Sequence, residues 1–154
     1  MARATLHTHK TLDELLLEKN RITEAQLAEV RRVHALEGGG WASHFVDAGC
    51  ISDNELLQLV ISETSLPYLP LLQVTPRLEL MEEFTPDFLN TFECFPVDEI
   101  APVLTIATPN PFQPELLRSR KTAVRDVQLF VCRVSEWREF LRRVAEHREP
   151  QAAT

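Results

Sequence analysis

Residues 11–63 read TLDELLLEKNRITEAQLAEVRRVHALEGGGWASHFVDAGCISDNELLQLVISE and contain one pattern written twice. A shift of 29 positions aligns the two copies, so that Leu12 falls on Trp41, Leu16 on Phe45, Ile22 on Ile51 and Leu27 on Leu56. In each copy, a segment with apolar residues at helical spacing ends at a residue that tolerates a left-handed backbone conformation. An isoleucine, a hydroxyl residue and a second apolar-periodic segment then follow. The repeat predicts four short helices arranged as two similar pairs.

Capping residues mark the ends of these helices. Thr11-x-x-Glu14, Thr23-x-x-Gln26 and Ser52-x-x-Glu55 have the spacing of a capping box, in which the hydroxyl and the acidic or amide side chain satisfy backbone N–H groups. Asn20 and Gly49 are suited to end the first helix of each copy, because both tolerate positive φ. Three of the four glycines lie together at 38–40, between the copies. They predict a hinge or a close approach of two backbones.

The pattern changes after Ser65 and predicts a sheet with helices. Leu66–Leu71 is bounded by prolines and predicts an edge strand or an extended crossing. Strands are predicted over 92–97, 103–108 and 127–133, with a turn over 98–102, and helices over 76–84, from 85, over 114–121 and from 135. We therefore predict an α+β fold with a helical lobe over 11–64 and an α/β lobe over 65–147, whose short sheet of about three strands is covered by helices. Flexible tails are predicted over 1–10 and 148–154.

Composition and motifs exclude several classes of function. The net charge of −7 argues against a general nucleic-acid binder, which presents a basic face. No apolar run reaches about 18 residues, so insertion into a membrane is not predicted. The three cysteines are widely spaced in apolar contexts and predict buried thiols in a reducing, cytoplasmic compartment. No metal-ligand spacing, P-loop, GxSxG, HExxH or GxGxxG motif occurs, so we predict neither a metal site nor an enzyme.

The repeat resembles the N-terminal domain of the type II secretion and type IV pilus assembly ATPases, a cyclic di-GMP-binding module. In that family each of two 24-residue units reads approximately RLGxxLxxxGxIxxxxLxxxLxxQ, with a five-residue spacer between the units. Here the units correspond to 11–34 and 40–63. The stretch around Pro67 and the segment Val103-x-x-Ile106-Ala107-Thr108-Pro109-Asn110-Pro111 also resemble the family's α/β lobe. The resemblance covers residues 11–147.

The resemblance implies a nucleotide site and also places departures in it. The family's Arg-Leu-Gly and Gln positions, which help hold the dinucleotide, correspond here to Thr11, Leu12, Asp13 and His34 in the first unit, and to Gly40, Trp41, Ala42 and Glu63 in the second. Both arginines are missing, and Asp13 and Glu63 add negative charge. Because charge-assisted contacts contribute about 1.5–3 kcal/mol each, we expect cyclic di-GMP binding in the family mode to be weak or lost.

Two functions lead at this point, ahead of an uncharacterised enzyme. The first is a non-catalytic adaptor that docks on a protein partner, such as a secretion or pilus component at the cytoplasmic face of the membrane. Trp41 and Phe45 are then candidate anchors, because aromatic residues dominate interfaces. The alternative is a cyclic dinucleotide sensor with altered contacts, in which His34 stacks on a guanine and distant arginines supply the charge. No other cofactor is predicted.

Overall fold

Four helices follow the tandem repeat in the computed structural model, which describes residues 10–119, 122 and 125–152. They are α1 (Leu12–Glu18), α2 (Glu24–Glu37), α3 (Trp41–Asp47) and α4 (Asp53–Thr64). Asn20 and Gly49 have φ values of 56° and 75°, so both adopt the left-handed conformation predicted for the turns. The apolar residues of both copies form one core, in which Leu15, Leu16 and Phe45 are fully buried.

The three predicted capping boxes have different outcomes. Thr23 and Gln26 form a complete reciprocal box at the start of α2. Ser52 accepts a hydrogen bond from the Glu55 backbone N–H, and its hydroxyl donates to the Glu55 side chain. The box predicted at Thr11 is wrong, because the Thr11 hydroxyl donates to Asp13 and caps no backbone N–H group.

The second part of the chain contains a three-stranded sheet with helices. A 3₁₀ turn (Leu71–Gln73), α5 (Leu78–Met81) and α6 (Pro86–Phe92) lead into β1 (Phe95–Ile100), β2 (Val103–Thr108), α7 (Pro114–Arg118), β3 (Asp126–Val131) and α8 (Val134–Ala152). The strand order is β1-β2-β3, with β1 antiparallel and β3 parallel to β2. Pro67 and Leu69 flank an isolated bridge between Tyr68 and Val131, as expected for an extended crossing. The predicted α+β fold is confirmed.

Several predicted boundaries in this part are wrong. Phe92 closes α6, because Glu93 adopts a left-handed conformation that ends the helix, and β1 therefore begins later and continues to Ile100. α5 is shorter than predicted, and α7 ends at Arg118. α8 continues to Ala152, so most of the predicted C-terminal tail is helical. The predicted N-terminal tail lies outside the described residues except for Lys10, which pairs with Glu18.

The two lobes are joined by shared apolar packing. Phe112, Val131 and Val134 belong to the α/β lobe by sequence, yet they pack into the core of the helical lobe. The Asp53 carboxylate, at the start of α4, also accepts hydrogen bonds from the Val134 and Ser135 backbone N–H groups at the start of α8. The lobes therefore form one packed unit along this boundary.

Two further observations complete the fold. None of the helices in the described residues has both the length and the apolarity needed to cross a bilayer. Cys94 and Cys132 are buried as predicted, whereas Cys50 is half-buried. Burial raises the pKa of all three thiols and so disfavours the reactive thiolate.

Candidate functional site

A cleft of about 590 Å³ opens where the helical and α/β lobes meet. Its walls come from the start of α1, the α2–α3 connection, the end of α6, and the loop and helix that follow β2. The lining residues are Thr11, Leu12, Asp13, Glu14, His34, Gly39, Trp41, Thr91, Phe92, Asn110, Phe112, Gln113 and Glu115. The volume is in the range typical of small-ligand sites.

The wall from the repeat is a stacked pair of rings. His34, near the end of α2, and Trp41, at the start of α3, lie with centroids 3.9 Å apart and planes 13° from parallel. His34 Nε2 is 3.0 Å from the Gly39 carbonyl oxygen, and His44 Nε2 is 2.7 Å from that of Gly38. Because a carbonyl oxygen only accepts, each Nε2 atom donates. These two hydrogen bonds fix the backbone of the α2–α3 connection at residues 38 and 39, and they hold the His34 ring at the cleft.

The opposite wall is built by the loop after β2. The Thr108 hydroxyl donates to the Glu93 carbonyl, and Asn110 Oδ1 accepts from the Phe112 N–H at 3.0 Å. The Gln113 amide then donates to the carbonyls of Phe92 and Asn110, at 2.6 and 2.8 Å. The loop is thereby fastened to the end of α6, and it places Phe112 and Gln113 in the cleft.

The charged groups of the cleft are acidic. Asp13 is partly buried and pairs with Arg31 at 3.3 Å, whereas Glu14 and Glu115 are exposed and make no ion pair within the described part of the chain. Among the described lining residues there is no lysine or arginine. The cleft therefore repels a polyanion by Coulomb interaction. No group of three or more metal-ligating side chains is found in the described residues.

A buried carboxylate occupies the start of α3. Glu93 is 1% exposed, and its two oxygens accept from the Ala42 and Ser43 N–H groups at 2.7 and 2.8 Å. A Cβ atom built on Gly40 would lie 2.0 Å from Glu93 Cγ, so Gly40 makes room for this side chain. Burial raises the pKa of the Glu93 carboxyl, and the hydrogen bonds from Ser43 and Ala42 oppose that rise.

The cleft brings together five of the eight residues assigned to a nucleotide site. Thr11, Leu12, Asp13, His34 and Trp41 line it. Gly40 and Ala42 are buried against Glu93 instead, and Glu63 lies outside the lining and faces Lys19 at 3.8 Å.

The two candidate partner anchors have different surroundings. Trp41 is half-buried and lines the cleft, so part of its surface is open to a partner. Phe45 is 0% exposed and packs in the core of the helical lobe. The assignment of Phe45 as an anchor is therefore wrong, because a ring without exposed surface offers a partner no contact.

Sequence reasoning missed the residues that the α/β lobe contributes. They are Thr91, Phe92, Asn110, Phe112, Gln113 and Glu115 in the lining, together with Glu93 beside it. The segment that ends in Asn110 and Pro111 is part of the family resemblance, but its sequence predicts only a strand and a turn. Sequence spacing does not reveal that the loop after β2 builds a wall of the cleft.

The chain is similar to one known protein family and to several solved structures. The model of the MshEN domain matches residues 64–151, which is more than half of the chain. No curated protein matches it. A structure of MshE with cdg, cyclic di-GMP, is 19% identical with a TM-score of 0.54, and the match covers 88% of this chain and 99% of that one.

Two solved structures of the N-terminal domain of XpsE match as well. One is 20% identical with a TM-score of 0.59 and covers 93% of this chain and 96% of that one. The other, a different crystal form, is 24% identical with a TM-score of 0.57, with coverages of 86% and 93%. The family match lies on the α/β lobe, while the fold matches extend over both lobes. Together they confirm the predicted resemblance.

Proposed function

The chain belongs to the MshEN domain family, and we propose that it is a non-catalytic docking module in which family-mode binding of cyclic di-GMP is weak or lost. The observation that carries this proposal is the charge of the cleft. Three carboxylates, those of Asp13, Glu14 and Glu115, line it, and no lysine or arginine lines it among the described residues. Cyclic di-GMP carries two phosphates, which this lining disfavours.

The second unit of the repeat adds a steric argument. The family places arginine where this chain has Gly40, and there a side chain would meet Glu93. The Glu93 carboxylate already accepts hydrogen bonds from the Ala42 and Ser43 N–H groups in the first turn of α3. A phosphate near this point would have to displace a buried carboxyl group whose two oxygens already accept hydrogen bonds.

The magnitudes support loss rather than slight weakening. Two missing arginine–phosphate contacts cost about 1.5–3 kcal/mol each, whereas micromolar affinity corresponds to only about 8 kcal/mol in total. The packed core and the helix caps are independent of these contacts. The fold is therefore retained while the ligand contacts are not.

The proposed role is that of an adaptor between protein partners. In the secretion and pilus ATPases a module of this kind docks the motor on a partner at the cytoplasmic face of the membrane. We place this chain in the same compartment, and Trp41 is the half-buried aromatic residue available for contact. The sensor alternative has less support, because no lysine or arginine lines the cleft among the described residues, and Arg31 pairs with Asp13 there.

Titration calorimetry with cyclic di-GMP at low salt tests this proposal. The unmodified chain is expected to give no saturable heat up to about 100 μM ligand, a concentration well above a micromolar Kd. Saturable binding at micromolar Kd would overturn it. The double variant Thr11→Arg/Asp13→Gly is the matched comparison, because it restores the family motif in the first unit and removes the carboxylate that pairs with Arg31. We expect it to bind at least about tenfold more tightly than the unmodified chain.

A further inference from the structure

The cleft combines carboxylates with aromatic rings, and this combination is suited to a flat cation. We propose that it binds the guanidinium group of an arginine side chain presented by a protein partner. The inference rests on the proposed docking function and deepens it by naming the chemistry that the partner contributes.

The charges argue for a cationic occupant. Glu14 and Glu115 come from different helices, α1 and α7, and both are exposed at the same cleft without an ion pair in the described part of the chain. Asp13, also in the lining, pairs with Arg31 at 3.3 Å, so the unpaired negative charge of the cleft comes from Glu14 and Glu115. Carboxylates facing one cleft repel each other, and a cation between them relieves that repulsion.

The aromatic residues argue for arginine rather than lysine. His34 and Trp41 form the stacked wall, and the half-buried Phe92 comes from the other side. A guanidinium is planar, weakly hydrated and able to stack on aromatic rings while it donates to carboxylates, whereas an ammonium is a strongly hydrated point charge. The lining therefore offers both kinds of contact that a guanidinium uses.

The size and position of the cleft argue for a protein segment. About 590 Å³ exceeds the volume of one guanidinium and leaves room for its aliphatic stem and flanking backbone. Asn110 is 2% exposed and lines the cleft, and its side-chain nitrogen makes no hydrogen bond among the described residues, so it can donate to a backbone carbonyl of the bound segment. Burial of Trp41 by such a segment follows the pattern of interface anchors.

The test is an NMR titration of the full chain, labelled with ¹⁵N, using the peptide Ac-Gly-Arg-Gly-NH₂ as the probe. The indole N–H of Trp41 reports on the cleft. The indole of Trp137 is the internal reference, because it is 5% exposed and donates to the Cys94 carbonyl at 3.1 Å. We expect a saturable shift of the Trp41 signal with an unchanged Trp137 signal. No shift of Trp41 at millimolar peptide, or equal shifts of both indoles, would overturn the proposal.

Two matched comparisons separate the guanidinium from general charge attraction. The citrulline peptide Ac-Gly-Cit-Gly-NH₂ keeps the shape without the charge, and the variant Glu14→Gln/Glu115→Gln removes the unpaired carboxylates. Each is expected to weaken binding at least about threefold. The control variant Glu24→Gln/Glu82→Gln makes the same change in net charge at exposed carboxylates outside the cleft, and it should leave the affinity unchanged. Equal losses in both double variants would overturn the assignment to the cleft.

Failure of the arginine proposal and failure of the proposed function give different results in these experiments. Binding of cyclic di-GMP in calorimetry contradicts the loss of the nucleotide site, whatever the peptide does. A cleft that binds neither ligand contradicts only the arginine assignment and leaves the docking proposal to be tested on other surfaces.

Discussion

Gly40 and Glu93 meet at the start of α3, where a Cβ atom added to Gly40 would lie 2.0 Å from Glu93 Cγ. We predict that Gly40→Ala lowers the free energy of unfolding by about 2 kcal/mol, the usual cost of overpacking a filled site. Glu93→Ala removes the obstructing atoms. The free energy of unfolding of the double variant should therefore be at least about 1 kcal/mol higher than additivity of the two single substitutions gives. Urea denaturation of the four proteins measures this coupling.

Gly38 supplies the control for this cycle. Its φ is +69° and no atom lies within 4 Å of an added Cβ, so Gly38→Ala adds backbone strain without touching Glu93. Its effect should add to that of Glu93→Ala. Additive behaviour at Gly40 as well would contradict the steric account of the missing family arginine.

The buried Glu93 carboxyl predicts a pH dependence with a definite sign. Because burial raises its pKa in the folded chain above the ordinary value of 4.5, the folded state takes up a proton at higher pH than the unfolded state. The stability that Glu93 contributes is therefore full below pH 4.5 and falls as the pH rises through the folded pKa.

We expect the difference in unfolding free energy between the unmodified chain and Glu93→Gln to shrink between about pH 4 and about pH 8. Thermal or urea unfolding at both ends of this range measures it. A difference that grows with pH would mean that the carboxylate is stabilised in the fold by its two N–H donors more than burial disfavours it.

At the scale of elements, two threonines with the same sequence signature behave differently. Thr23 accepts from the Gln26 N–H at 3.1 Å and completes a capping box, whereas Thr11 caps no backbone group. We predict that Thr23→Ala costs about 1 kcal/mol of stability, as loss of a cap usually does, and that Thr11→Ala costs less than half of this. Chemical denaturation of the two variants checks the ranking, and equal costs would contradict it.

The same pair shows how far sequence reasoning reaches for elements. The repeat, its four helices and its left-handed turns at Asn20 and Gly49 were predictable, because local periodicity and backbone preference dictate them. The cap at Thr11 was not, since the neighbouring Asp13 takes the hydroxyl. The start of β1 was missed because Phe92 and Phe95 look equally apolar, and only the left-handed backbone at Glu93 separates helix from strand.

At the scale of the whole molecule, the shared core predicts a single unfolding transition. Phe112, Val131 and Val134 pack among the helices of the repeat, and Asp53 binds the start of α8. We expect urea unfolding to give coincident curves by far-ultraviolet circular dichroism and by tryptophan fluorescence, because the two lobes share a core. The fluorescence is a sensitive probe of this, since Trp41 and Trp137 lie in different lobes. Separate midpoints would show that the lobes unfold independently.

The cleft also belongs to this scale, which explains why only part of it was predictable. The family resemblance assigned Thr11, Leu12, Asp13, His34 and Trp41, all from the repeat, and they do lie together. The facing wall of Phe112, Gln113 and Glu115 depends on how one lobe packs on the other. That packing depends on contacts between residues distant in sequence, which local sequence patterns do not reveal.

The most direct measurement of the central claim is a titration of the ¹⁵N-labelled full chain with cyclic di-GMP at low salt, followed at the indole N–H of Trp41. This signal reports on the cleft itself, whereas heat can arise at any surface. We predict that the Trp41 signal stays in place, because acidic residues line the cleft and Glu93 accepts hydrogen bonds from the Ala42 and Ser43 N–H groups of α3. A saturable shift at micromolar ligand would contradict it and would show that the altered repeat still binds the nucleotide.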